Sequence, residues 1–226
     1  MPATRIMGPN NPAGGASASR ALRHDDPRRL VVMILTGCAG SQPSKFYQLN
    51  PVPNQKTPVS HLSDSHNSVI AIGPVGILDY LDRPQIVTRS GKNELRLSEF
   101  DRWGGSLEAD ISRVLVENIS SFLAADGLSV VRWRSYQDSR VPASLRVEVL
   151  VDRFEGTLGD SALLKARWRV FASDGGLLLS KESRLKEPMS GSSYDALVAA
   201  MSSALGKLSV AISEELIAVL RRMPAK

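Results

Sequence analysis

Apolar and polar positions change their period several times along the chain. Val69-Ile70-Ala71-Ile72 is a continuous apolar run, the pattern of a strand buried on both faces, and Gly73-Pro74 closes it. Gln85-Ile86-Val87-Thr88-Arg89 and Glu94-Leu95-Arg96-Leu97 read as two short strands. The turn residues Ser90-Gly91-Lys92-Asn93 lie between them, so the pattern predicts a hairpin. From Ser106 the spacing becomes three and four: Leu107, Ile111, Val114, Leu115, Ile119, Phe122 and Leu123 form one helical stripe. Ser106 is its N-cap, Glu108 and Asp110 suit the positive end of the helix dipole, and Asp126-Gly127 is its stop.

Alternation then returns. Ser129-Val130-Val131-Arg132-Trp133 is a strand. Leu145, Val147, Val149 and Val151 alternate with Arg146, Glu148 and Leu150 in a half-buried strand that runs on toward Phe154. The stretch 163–171 alternates likewise, with Lys165, Arg167 and Arg169 on one face; Glu148 and Asp152 next door make this a solvated, charge-balanced face. Asp174-Gly175-Gly176 signals a tight turn into Leu177-Leu178-Leu179-Ser180-Lys181, giving an antiparallel meander of three strands. A last stripe runs through Tyr194, Leu197, Val198, Met201, Leu205, Leu208, Ile212, Leu216, Val219 and Leu220. Gly191-Ser192-Ser193 starts it and Pro224 stops it. The reading is a single α+β domain: a mainly antiparallel sheet with two long helices packed on it.

Upstream the pattern is different. Residues 1–27 are rich in Ala, Gly, Pro, Asn and Ser and have no sustained period. Arg28-Arg29, the apolar run 30–35 and the small residues before Cys38 follow the order of a secretory signal, and the run is too short to span a bilayer. Leu35, Thr36, Gly37 and Cys38 resemble the bacterial lipobox, in which cleavage exposes Cys38 for lipid attachment. Cys38 is the one cysteine of the chain, so no intrachain disulfide forms. The expected organisation is a leader over 1–37, then the lipidated Cys38 with a short strand (Phe46-Tyr47-Gln48-Leu49) and a tether over 38–67, then the domain over 68–226. Net charge is +5, but +3 of it lies in 1–37. A nearly balanced body argues against a phosphate-tracking surface, so no nucleic-acid partner is expected.

Catalytic signatures are missing. There is no GxSxG elbow and no HExxH, so the chain reads as non-catalytic and without cofactor or metal. His61 and His66, five apart in a polar loop, have solvent-exposed rather than ligand spacing. Two polar stretches stand out as contact candidates: Asp82, Arg83, Pro84 and Gln85, and then Asp101, Arg102 and Trp103. For Asp82–Arg83 and Asp101–Arg102 the favoured reading is ion pairs that anchor loops, ahead of recognition of a partner, and Trp103 reads as a hydrophobic staple or core plug ahead of the helix.

The segment IGPV followed by DYLDRPQIVTRSGKNELRLSEFDRW and then LEADISRVLVENIS resembles the PqiC family of lipoproteins, also called ABC-type transport auxiliary lipoproteins. The resemblance runs from about Phe46 to the last helix; DRPQIV, NEL and the stretch Leu97 to Trp103 carry it. It implies a lipoprotein anchored in the outer membrane, on the periplasmic face of a Gram-negative envelope. Such proteins work with a periplasmic MCE-domain (mammalian-cell-entry) protein and an inner-membrane transporter in moving lipids between membranes, which maintains envelope integrity. It also implies homo-oligomerisation. The alternative is a periplasmic lipid-binding carrier with an apolar cavity between helix and sheet.

Overall fold

The computed structural model describes residues 42–52, 68–133 and 143–223. Eight strands and two helices follow one another: β1 (Lys45–Tyr47), β2 (Val69–Ile77), β3 (Gln85–Arg89), β4 (Leu95–Trp103), α1 (Leu107–Leu123), β5 (Ser129–Arg132), β6 (Leu145–Thr157), β7 (Ser161–Ala172), β8 (Leu177–Pro188) and α2 (Tyr194–Arg222). The fold is the α+β domain expected. Its 85–89/95–97 hairpin, its β6–β7–β8 meander and both helices lie where the periodicity put them.

β6 is the spine of the sheet. Its whole length pairs antiparallel with β7 on one side. The other side is shared: β2 runs parallel along Leu145 to Val151, and β3 meets Gly156. β5 extends the β2 edge in parallel, and β1 adds in parallel to β4 at Asp101, Arg102 and Trp103. The sheet is therefore mixed, with the parallel pairs made by strands far apart in sequence.

Two boundaries differ from expectation. β2 does not stop at Gly73-Pro74. That peptide is cis, and pairing with β6 shifts there from Ile72 to Val75 and resumes to Ile77, so the proline sits in a bulge where its missing N–H leaves no ladder gap. β4 likewise runs on through Asp101, Arg102 and Trp103, which read as a lead-in to α1. The run continues because β1 supplies a partner that lies some fifty residues upstream.

Both helices cover one face. α1 packs on β2 and β5, and α2 on β6, β7 and β8 and against α1. Ile70, Ile72, Leu145, Val147, Val151, Leu164 and Trp168 from the sheet meet Ile111, Leu115, Ile119, Leu205, Leu208 and Ile212 from the helices, all essentially inaccessible. Burial of such side chains stabilises by roughly 1.5–3 kcal/mol each. Ser106 and Ser193 cap the helices, accepting from the backbone N–H of Ala109 and Ala196, and Gly127 ends α1's terminal turn at φ +69°. α2 is apolar and long enough to cross a bilayer by composition, yet most of it is buried on the sheet and on α1. Its buried Ser202, Ser209 and Ser213 donate to carbonyls one turn back, which satisfies their hydroxyls in the core.

Residues 49–52, expected inside the 38–67 segment, run across the helix pair. Leu49 is fully buried. Its N–H donates to Asp110 Oδ2 at 2.6 Å, and its carbonyl accepts from Arg113 Nη2 at 2.6 Å. The N–H of Asn50 donates to Ser202 Oγ and that of Val52 to Asn118 Oδ1. Gly206 makes room for this strap: a Cβ there would sit 3.2 Å from that of Val52. Side chains of both helices thus take the place of a missing neighbour strand.

Candidate contact surface

The two polar stretches singled out from sequence meet in space. Across a wide bulge between β3 and β4, Gln85 stands opposite Arg102, and the Trp103 N–H donates to the Pro84 carbonyl at 2.7 Å. Asp82 and Pro84 are exposed, Arg83, Gln85, Asp101 and Arg102 half-buried, and Trp103 is buried as a core plug. Cys38 and the preceding Leu35, Thr36 and Gly37 lie outside the described residues, as do His61, His66 and Pro224.

Neither neighbouring Asp–Arg pair is the anchor of its loop. Successive strand residues point to opposite faces, so Asp101 and Arg102 cannot face each other. Asp101 instead accepts from Tyr47 Oη and Ser98 Oγ, each at 2.8 Å, which ties β1 to β4, while Arg102 Nε donates to the Glu99 carbonyl. Burial, with the hydrogen bond to Asp101, pushes the Tyr47 phenol up to about 12. Arg83 Nε is buried with no hydrogen-bond partner among the described residues. The loop carrying it is held from beneath by Leu81, which is inaccessible, and by Tyr80, whose Oη donates to Glu155.

Glu155 is a hub that periodicity did not reveal. Its carboxylate is 1% exposed and accepts from Tyr80 Oη, Arg89 Nε, Arg153 and the Phe154 N–H. A buried carboxylate is tolerated because four donors replace its water. Burial, then the bond to Glu155, drives the Tyr80 phenol well above its ordinary range. Loop 78–84 is thereby fixed to β3 and β6. The sequence offers only alternation here, and nothing in it marks Glu155 as distinct from Glu148.

Beside Trp103 an open cleft of about 240 Å³ lies between Tyr47–Gln48, Gly104, Ser106 and Arg113. A second, of about 690 Å³, runs over the outer sheet face along Pro74, Val75, Leu150, Arg167 and Arg169. There the basic stripe is neutralised as expected: Arg167 forks onto Asp152 at 2.8 and 2.9 Å, Arg169 binds Glu148 and Lys165 binds Glu182. The Arg167 fork holds the Asp152 carboxyl below its usual range. Arg146 stacks over Trp133 and Phe171. Among the described residues no group of three or more His, Cys, Asp or Glu side chains converges as metal ligands would.

The surface offers shape, charge and hydrogen-bond donors, and its two stretches are rigidly joined. Comparison with known proteins gives the context. The family model described as ABC-type transport auxiliary lipoprotein component matches residues 47–213. The Intermembrane transport lipoprotein PqiC of Escherichia coli strain K12 is 20% identical over 195 residues, covering 86% of this chain and 96% of that protein. Among solved structures, an uncharacterized protein superposes with a TM-score of 0.63 at 19% identity, covering 77% of this chain and 99% of its own. A Xanthomonas campestris protein superposes with 0.62 at 17% identity, covering 79% and 98%.

Proposed function

This chain belongs to the family of ABC-type transport auxiliary lipoprotein components, and on that premise we propose that it is a non-catalytic docking subunit of an intermembrane lipid-transport assembly. In this reading Cys38 carries the lipid that holds the chain on the periplasmic face of the outer membrane. The folded body binds the periplasmic MCE component, which connects to an inner-membrane transporter. The observation that carries the reading is that the family match, residues 47–213, runs from the end of β1 into the later turns of α2, which is nearly the whole body. The E. coli relative's name, a lipoprotein of intermembrane transport, points the same way.

The filled interior favours docking over carriage of a lipid. The helix–sheet interface that an apolar cavity would occupy is packed with inaccessible Ile, Leu, Val and Trp side chains. The contact surface we assign is the joined pair Asp82, Arg83, Pro84, Gln85 and Asp101, Arg102, with the buried Trp103 supporting it from within. Arg83 brings a donor without a partner, and rigid support from Tyr80 and Trp103 lowers the ordering cost of binding.

The test is capture of the MCE protein from the same envelope by the full chain. Arg83→Glu with Arg102→Glu should weaken capture at least tenfold without lowering the melting temperature. Stoichiometric phospholipid in the purified chain, with no MCE capture, would replace this reading by the carrier.

A further inference from the structure

We propose that the β1–β4 edge of the sheet lies directly against the lipid surface, with Phe46, Leu95 and Leu97 in its interfacial layer. This rests on Cys38 carrying the lipid, as proposed above. The strap over residues 49–52 and the pairing of β1 with β4 fix the chain to the body from Lys45 onward. Only seven residue steps separate Lys45 from Cys38. At most about 3.5 Å per residue, the edge is held within about 25 Å of the lipidated residue. No other part of the described body is leashed so closely.

The edge is built for such a surface. Eight large apolar side chains are exposed among the described residues, and Phe46 (68%), Leu95 and Leu97 are three of them, on adjoining strands. β1 covers only the last three residues of β4, so the earlier part of β4 has no strand on that side. β1, β4 and the turn before β4 also carry the exposed cations Lys45, Lys92 and Arg96 and the exposed acids Glu94 and Glu99, with Arg96 paired to Glu94 at 3.4 Å. An exposed aromatic ring and leucines with lysines on the same edge suit the boundary between acyl chains and anionic headgroups.

The experiment uses the full acylated chain, in which the only native cysteine is consumed by the lipid. Phe46→Cys, Leu97→Cys and, as a distant control, the exposed Leu177→Cys each introduce one free thiol for a bimane fluorophore. The labelled chains are reconstituted into phosphatidylethanolamine–phosphatidylglycerol vesicles carrying a nitroxide phospholipid. Bimane emission should fall severalfold at positions 46 and 97 and stay unchanged at 177. Vesicle-bound protein with unquenched fluorophores at 46 and 97 overturns the membrane-facing edge and leaves the anchor standing. So does burial of those fluorophores by a second copy or a protein partner. A chain that is not acylated and stays off vesicles overturns the lipoprotein reading, and this inference with it.

Discussion

Tyr80 Oη and Glu155 Oε2 are 2.7 Å apart, joining a surface loop to a carboxylate beneath the sheet face 75 residues later. Since Arg89 and Arg153 also converge on that carboxylate, Glu155 decides where β3, loop 78–84 and the end of β6 sit relative to one another. Glu155→Ala removes the acceptor shared by two partly buried guanidinium groups and a phenol, leaving Tyr80 only the Asp152 carbonyl and Arg89 only that of Lys92, and should cost about 2–4 kcal/mol. Tyr80→Phe removes a single donor and should cost about 1–2 kcal/mol. Urea unfolding ranks the two, and an unaltered midpoint for Glu155→Ala would mean that the hub carries no weight.

The two hydrogen-bonded tyrosines set the alkaline limit. Burial and the bond to Asp101 raise Tyr47 from an ordinary 10.0 to about 12, so the folded state holds that proton more tightly than the unfolded chain. This contribution is therefore complete below pH 10 and is lost as the pH climbs toward 12. Tyr80, shifted in the same direction, adds to the loss. Tyr47→Phe should therefore fall less steeply than the wild type across pH 10–12 in thermal melts, and parallel curves would contradict the assignment.

On the acid side Asp152 and Asp160 are both held below the ordinary carboxyl range, and Asp152 is the less exposed of the two. The Arg167 fork lowers its carboxyl below the ordinary 3.8, so its contribution is present above that value and disappears as the pH drops through the folded-state value. Arg167→Gln should flatten the stability curve below about pH 4. At neutral pH it should leave stability nearly unchanged, because Arg167 is more than half exposed and solvent screens the pair. A larger neutral-pH loss would show that the outer-face cations carry more than solvation.

What the sequence disclosed and what it hid divide along physical lines. Ser106, Gly127, Asp174-Gly175-Gly176 and the α2 stripe act locally, so cap, stop, turn and period were all readable from neighbours in the chain. The parallel partners of β2 and β4 were not, because β5, β6 and β1 meet them only through the tertiary fold. The candidate stretches at 82–85 and 101–103 were visible as polar segments, and their junction through Pro84 and Trp103 was not. Glu155 and Asp110 escaped for the same reason. Asp110 has the composition of a helix-dipole acid, yet it also holds the backbone of Leu49 from 61 residues away.

Gly156 is a place where only glycine fits. A Cβ there would stand 2.4 Å from Leu197 Cδ1 and 2.7 Å from the Ser161 carbonyl oxygen, so the first turn of α2 and the β6–β7 turn would both have to retreat. Overpacking of this kind typically costs about 1–3 kcal/mol. Gly156→Ala should lower the melting temperature by several degrees, whereas Gly91→Ala, with open space at its Cβ, should not. Equal effects at both positions would remove the packing argument.

The strap gives the most direct test of how the anchor segment is coupled to the body. Asp110 accepts from the Leu49 N–H and also orients Arg113, which binds the Leu49 carbonyl. Asp110→Ala therefore releases both backbone groups of one fully buried residue. Asn118→Ala releases one backbone group of the strap, the Val52 N–H, and with it a long bond from Asn118 Nδ2 to Ser209 Oγ. The first should cost about 2–3 kcal/mol and the second about 1 kcal/mol. Beyond global stability, local opening should separate them: in Asp110→Ala, amide exchange at Leu49 and Val52 should quicken ahead of exchange in β6 and β7, because the strap detaches while the sheet stays paired. Uniform acceleration across strap and sheet would show that residues 49–52 unfold only with the whole domain.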